Sequence, residues 1–396
     1  MKKIAVLFHR LGPYHHARLT ACGTLCDLTA IEIMAKDSTY AWDKVAGARN
    51  YDRRTLFQET ETVHHRADLV RRIHATLEET CPDAVVIPGW SDRGALAALF
   101  WSLERHIPVV IMSDSQERDE LRRWWKEAVK RQVIVQCGAG LVGGAPHAAY
   151  LAQLGMPADH IYSGYDVVDN EYFQIGASSV RRSPGTLRER HVLPEHFFLA
   201  SNRFVAKKNL ERLIKAFSRY QRMMANRGWH LVILGDGELR SRLEALLKEY
   251  GMADRVLLPG FKQYPDLPVF YGLASAFVHA STTEQWGLVV NEAMASDLPV
   301  LVSKGCGCAF DLVREGVNGF TFDPYDVDGL ASLMVKMASG EVDREAMGRA
   351  SQKIIDPWSP KTFARNLLAA TEAAVRAPKP PFSFIDRLFL KGLLLR

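Results

Sequence analysis

The 396-residue sequence holds only six cysteines, Cys22, Cys26, Cys81, Cys137, Cys306 and Cys308, and no two form a C-x-x-C pair. None of its thirteen histidines enters an H-E-x-x-H. Zinc ligation therefore has little support, no metal is expected, and buried reduced thiols are the better reading. No apolar run reaches the ~18 residues that spanning a bilayer requires. The opening "MKKIAVLFHRLG" has five apolar residues before His9, too short for the core of an export signal. A soluble, cytoplasmic protein is expected. Polybasic blocks, low-complexity tracts and short-period repeats are also missing. Lys+Arg number 50 against Asp+Glu 45, a net +5 spread in mixed-sign runs. A nucleic-acid partner is not indicated, because a phosphate-tracking protein concentrates its cations on one face. The slight excess suits an anionic small molecule or an acidic membrane surface. After the first apolar run, "HRLGPYHHAR" lacks G-x-G-x-x-G, which argues against a dehydrogenase.

What is present is a repeated βα pattern. With 47% apolar and 24% charged residues, the chain can bury a large core, and its length favours two domains. Short β-rich apolar runs alternate with amphipathic stretches of ten or more residues, the pattern of parallel strands covered by helices. In the first half the expected strands are "KIAVLF", "LTAIEIM", "DAVVIP", "PVVIM", "AGLVGG" and "HIYSG". In the second they are "FFLASN", "WHLVILG", "RVLLPG", "SAFVHA" and "PVLVS". The division is an N-terminal Rossmann-like domain at 1–175, a Ser/Gly/Pro/Arg-rich linker at 176–194, and a C-terminal Rossmann-like domain at 195–355. A helix and apolar-basic tail at 356–396 can cross back to the first domain. The fold class is thus α/β, two open sheets facing each other across a cleft, with ligands beyond the carboxyl ends of the strands.

Three strand ends carry candidate chemistry. In "FHRLGPYHHARL" Gly12 ends a strand and a helix follows, so backbone N–H groups there can meet an anion; His15 and His16 sit in the first helical turn. In "SNRFVAKKNLERLIKAF" Arg203 ends a strand and Lys208 opens a helix whose buried face is Leu210, Leu213, Ile214 and Phe217. Two cations at the positive end of a helix repel each other unless an anion lies between them. In "STTEQWGLVVNEAMASDLPV" Glu284 and Glu292 flank a glycine, with Leu288, Val289 and Ala293 as expected buried positions. Glu292 can accept two hydrogen bonds from a vicinal diol. Gly287 admits a ligand close to the backbone, beside the amides of Trp286, Gly287 and Leu288. The plainer reading of these carboxylates is a complement to the helix dipole.

These segments, with "LVILGDGELRSRLEAL", "RVLLPGF" and "DLVREGVNGFTFDP", resemble the retaining nucleotide-sugar glycosyltransferases of glycosyltransferase family 4, with the GT-B fold. The resemblance is strongest over about residues 197–335. It implies that Glu292 holds the donor ribose, Glu284 a hydroxyl of the donor sugar, and Arg203 with Lys208 the diphosphate. It places Gln285, Trp286, Gly287 and Leu288 at the sugar, Gly12 at the diphosphate, and Gly260 and Phe261 near the base. Implied partners are a UDP- or GDP-linked sugar donor and a saccharide or lipid-linked saccharide acceptor, with no cofactor and no metal. Cell-surface polysaccharide synthesis is the setting that the family suggests.

The sequence departs from that pattern at Pro13, where the family has a second glycine, and after the fourth strand, where a histidine is usual and Ser113, Asp114 and Ser115 stand. His15, His16, Asp114 and His147 are the acceptor-side candidates. Asp297 replaces a glycine after the Glu292 helix. Gly305 and Gly307 read as close-approach positions, with Cys306 and Cys308 as packing. Alternatives are a catalytically silent nucleotide-sugar-binding or assembly subunit and a same-fold epimerase or phosphorylase. The stretch "ERDELRRWWKEAVKRQ" reads as an amphipathic helix with Leu121, Trp124, Trp125 and Ala128 on one face. Core packing is favoured for it over peripheral membrane contact, which the tail "RLFLKGLLLR" keeps as an alternative.

Overall fold

The computed structural model describes residues 2–35, 43, 50–58, 66–378 and 382–395. The chain forms two compact units, Met1–Val168 with Trp358–Arg396, and Asp169–Pro357.

Among the described residues the first unit has seven strands: β1 Lys3–Phe8, β2 Asp27–Met34, β3 Asp52–Phe57, β4 Ala84–Pro88, β5 Val109–Ser113, β6 Ala139–Val142 and β7 Ile161–Ser163. All pair in parallel in the order β3-β2-β1-β4-β5-β6-β7. This is the doubly wound order 3-2-1-4-5-6 extended by one strand. Strand β1 shows why the sheet is covered on both sides. Ala5 and Leu7 enter one apolar cluster while Ile4, Val6 and Phe8 enter another, as alternating side chains must. One face is covered by helices 66–80 and 93–104, the latter capped by Asp92, which accepts a 2.9 Å bond from the Ala95 N–H. The other face carries the Pro13–Cys22 helix and Pro360–Arg376, which buries Phe363, Leu367, Ala370 and Ala374. Burying Phe363 and Leu367 contributes about 2 kcal/mol each.

Strand β3 was not expected, because its sequence DRRTLF is polar. Its place at the sheet edge and a buried ion pair account for it. Glu32 of β2 is fully buried and accepts from Arg53 at 2.8 Å, Thr55 at 2.8 Å and the Leu11 N–H at 2.8 Å. The same carboxylate thus joins β3 to β2 and pins the loop before Gly12.

The second unit has strands β8 Phe197–Ser201, β9 His230–Leu234, β10 Val256–Leu257, β11 Ala276–His279, β12 Val300–Ser303 and β13 Gly319–Phe322. Their order is β10-β9-β8-β11-β12-β13, again parallel throughout. The helix Leu210–Met223 buries Leu210, Leu213, Ile214 and Phe217 as expected.

Two expectations are corrected here. Residues 176–194 are not a linker: helices Asn170–Arg182 and Pro184–His191 occupy them, inside the second unit. The apolar stripe Phe173, Ala177 and Val180 begins before residue 176, so a window opened there misses its period. Gly176 lies against the Leu267–Leu273 helix, where a Cβ would come within 2.6 Å of Pro268. The stretch 117–131 is also not one core-packed helix. A short turn at Glu117–Asp119 precedes a helix at Trp124–Ile134, and Leu121, Trp124 and Trp125 are exposed. Asp119 accepts from the Gln116 N–H at 2.8 Å, while Arg122 donates to the Glu117 carbonyl at 2.7 Å and holds the intervening chain out of helix.

Candidate functional site

In the second sheet the strand order reverses between β8 and β11, and ligands of open α/β sheets bind beyond the strands at such a point. The chain leaving β8 carries Arg203 and Lys208; the chain leaving β11 carries Glu284. The structure brings two of them together: Lys208 Nζ is hydrogen-bonded and ion-paired to Glu284 Oε2. Lys207 Nζ lies 3.9 Å from Glu284 Oε1, and Ser281 Oγ donates to Oε2 at 3.4 Å. His279, the last residue of β11, is fully buried with Nε2 3.6 Å from Glu284 Oε2. Burial alone would raise the Glu284 pKa, but the His279 hydrogen bond and the Lys208 charge outweigh it and hold the carboxyl far below its usual range. Burial lowers the His279 pKa, so its ring is neutral near pH 7.

Two devices fix this geometry. Asn209, in left-handed conformation at φ 59°, donates to the carbonyls of Ala280 at 3.0 Å and Pro324 at 2.8 Å, clamping the Lys208 turn to the end of β11. The Glu284 loop is held through its backbone: Glu284 N donates to the Gly305 carbonyl at 3.1 Å, and Gly307 N to the Glu284 carbonyl at 2.9 Å. Gly305 has no room for a side chain, since a Cβ would sit 2.3 Å from the Thr282 carbonyl oxygen. Cys306 and Cys308 are buried, and burial raises both thiols, so neither is a poised thiolate.

Gly287 caps the Leu288–Ala295 helix at φ 108°, a conformation that favours glycine. The amides of Leu288 and Val289 open that helix and have no acceptor within it. Trp286 turns inward, buried, with Nε1 donating to Asn291 Oδ1 at 2.9 Å, so only its backbone can face a ligand. Gln285 is half-buried beside it. Leu288 and Val289, expected to be buried, are half-buried; Val290 through Ala295 are the buried run.

Glu292 belongs to that run. It is fully buried, and Oε2 accepts a 2.5 Å bond from Tyr271 Oη. Burial first, then the Glu292 charge, raises the phenol pKa values of Tyr271 and Tyr264. Tyr264 is stacked on Tyr172 at 4.7 Å and edge-on to Phe173, which meets Tyr271 at 5.7 Å. Glu292 therefore lies beside an aromatic cluster, with Tyr271 as its hydrogen-bond donor. Arg203, by contrast, is exposed two residues past β8. Gly260 has φ 83° with open space where a Cβ would point, and Phe261 is exposed.

The remaining candidates lie in the first unit. The Gly12 amide, expected to meet an anion, donates to His15 Nδ1 at 3.1 Å. His147 does the same for the Gly144 amide at 3.2 Å, so both histidines cap the helices they open. Burial, then Arg18, lowers the His15 pKa. His16 Nδ1 is 3.0 Å from Tyr51 Oη, and Asp114 is half-buried just after β5. Sequence reasoning missed His279, Asn209 and Tyr271. Among the described residues no group of three or more His, Cys, Asp or Glu could hold a metal ion.

Residues 186–354 match the family model of the glycosyl transferases group 1. Mannosylfructose-phosphate synthase of Agrobacterium fabrum is 26% identical over 276 residues, covering 65% of this chain and 58% of that protein. The lipopolysaccharide core biosynthesis glycosyltransferase LpsE of Rhizobium meliloti is 32% identical over 141 residues, 36% of this chain and 39% of that one. The matched part thus spans less than two thirds of either relative. Among solved structures, Anabaena HepE in complex with UDP superposes with a TM-score of 0.70 at 18% identity, covering 93% of this chain and 99% of that one. HepE has also been solved with UDP-glucose. The likeness spans both units and gives the fold as GT-B.

Proposed function

We propose, for a chain whose residues 186–354 match the family model of the glycosyl transferases group 1, that the protein moves a hexose or N-acetylhexosamine from a nucleotide diphosphate sugar to a saccharide or lipid-linked saccharide, with retention and without a metal. The observation that carries this reading is the Lys208–Glu284 pair at the β8/β11 switch point, beside the amino-terminal end of the Leu288–Ala295 helix. A diphosphate entering there takes Lys208 and the free helix amides, and a sugar hydroxyl takes the Glu284 oxygen that Lys208 leaves. Arg203 adds a second cation to the phosphates.

The sugar C1–oxygen bond to the diphosphate breaks and a C1–oxygen bond to the acceptor forms on the same face. The acceptor proton passes to the leaving phosphate oxygen. Negative charge grows on that oxygen, where Lys208, drawn away from Glu284, and the backbone N–H groups stabilise it. Glu292, held at Oε2 by Tyr271, binds the ribose diol. HepE, solved with UDP and UDP-glucose, supports trying uridine donors first; LpsE, a lipopolysaccharide core biosynthesis glycosyltransferase, supports a cell-surface glycan. A lipid-linked acceptor would be met by peripheral contact with its membrane.

A thermal-shift screen against UDP-, GDP- and ADP-sugars tests the reading. A true donor at a hundred times its dissociation constant stabilises the fold by ~2.7 kcal/mol. Glu292→Ala is expected to abolish the response, and an unchanged shift would refute the ribose role. Release of nucleotide diphosphate on adding acceptor separates a transferase from a silent binding subunit.

A further inference from the structure

We propose that the Leu121–Trp125 turn and the outer face of the Phe384–Leu395 helix together form a docking surface for an anionic lipid bilayer. This deepens the membrane contact of the reading above, yet does not depend on the donor chemistry. Leu121 is 92% exposed and Trp124 83%, while Phe384, Ile385 and Leu388 are 74%, 75% and 55% exposed. Single apolar residues on a surface need no explanation, but five large ones on two neighbouring elements do.

The elements are neighbours because Gln132 Nε2 donates to Asp386 Oδ1 at 2.5 Å. Trp125 and Gln132 are seven apart on the Trp124–Ile134 helix and share one stripe, so the tryptophan end leads directly to the contact with the second helix. The Phe384–Leu395 helix is itself firmly seated. Leu390 is buried, and Phe389, Leu393 and Leu394 pack on the core beneath. Its apolar outer side is therefore not the inner side of a loosely attached helix.

Charge selects the occupant. The helix has one acid, Asp386, which is buried and accepts from Ser383 Oγ at 2.6 Å as well as from Gln132. Its exposed positions carry Arg387 and Lys391 and no carboxylate. The Arg387 guanidinium lies 5.1 Å from the Phe382 ring centroid and Lys391 Nζ 5.7 Å from that of Phe100, so each cation rests over an aromatic ring beside the apolar face while its residue stays exposed. Arg387 also meets Glu104 at 3.1 Å, which leaves Lys391 the stronger contributor. Phenylalanine, isoleucine and leucine in the centre, tryptophan at one end and cations at the rim match the acyl, interfacial and headgroup layers of an anionic leaflet. No described helix is long and apolar enough to cross a membrane, so the contact would be peripheral.

The test is co-sedimentation of the full chain with vesicles of phosphatidylcholine alone or mixed with phosphatidylglycerol, without nucleotide sugar. Binding to the mixed vesicles, weakened by salt, is expected. The pair Ile385→Ser with Leu388→Ser, and separately Leu121→Ser with Trp124→Ser, should each lose tenfold or more at unchanged melting temperature. Lys391→Gln should lose about fivefold. Failure to bind either vesicle, or equal binding by wild type and variants, overturns the proposal. So does a dimer in sedimentation equilibrium that the Ile385→Ser, Leu388→Ser pair dissociates, since a second copy would then be the occupant. A chain that binds vesicles normally but releases no nucleotide would instead sink the transferase reading and leave this one standing.

Discussion

Lys208 and Glu284 lie seventy-six positions apart in sequence and form one ion pair across the ends of β8 and β11. Each is mostly buried, with side-chain exposures of 12% and 13%; removing Glu284 takes the carboxylate from Lys208, whereas removing Lys208 leaves Glu284 with Lys207, Ser281 and His279. Lys208→Met or Glu284→Gln alone should destabilise the second unit, Glu284→Gln by about 3 kcal/mol and Lys208→Met by less, because only Glu284→Gln leaves a mostly buried charge without its counter-charge. The double variant should recover most of that loss. A melting-temperature cycle over the four proteins checks the coupling. Donor turnover should fall roughly a hundredfold to a thousandfold in Lys208→Met, and the double variant should not restore it.

Acid should weaken the fold in two steps. The lowered His279 pKa makes its stabilising contribution complete above about pH 6.5, the unfolded value, and it is lost as pH falls below that. The lowered Glu284 pKa gives a contribution complete above about pH 4.3 that is lost at still lower pH. His15, His74, His191 and His230 are shifted in the same direction as His279. His279→Gln should therefore reduce, and not remove, the slope of melting temperature between pH 6.5 and 5. Glu284→Gln should remove the lower step and, because the Glu284 carboxylate supports the His279 proton, deepen the upper one.

Gly305→Ala places a methyl group where the Thr282 carbonyl already sits. The backbone must part there, and the Glu284 N–H loses its acceptor. A cost of about 2 kcal/mol in stability is expected, with donor turnover down roughly a hundredfold because Glu284 is displaced. Urea denaturation and initial rates would separate the two effects.

Glu32→Ala removes the carboxylate that receives Arg53, Thr55 and the Leu11 amide. Loss of about 3 kcal/mol is expected, larger than for any surface pair such as Arg349–Glu345. Hydrogen exchange should rise in β3 and in the Leu11–Gly12 loop ahead of the rest of the sheet.

These cases also mark what could be read from the chain alone. Strands such as β4 and β5 are legible because both faces are covered and the sequence is an unbroken apolar run. Strand β3 hides because its inward Arg53 and Thr55 are matched to a buried acid on its neighbour. Lys208 and Glu284 could be nominated from their places after strands; His279 and Asn209 could not. Their roles depend on the sheet order that sets β8 beside β11, which no local pattern encodes. Glu292 was legible as a helix carboxylate, but its partner Tyr271 comes from a separate helix.

The glycine amides at 12 and 144 are each clasped by an imidazole three residues later, a place where a capping box uses glutamate or glutamine. Such a clasp is conditional: a ring that gains a proton at Nδ1 has no lone pair left to offer. Burial and the Arg18 charge hold the His15 pKa well below the usual imidazole range, so the clasp on the Gly12 amide keeps that helix entrance fastened through an acidification that already charges exposed imidazoles.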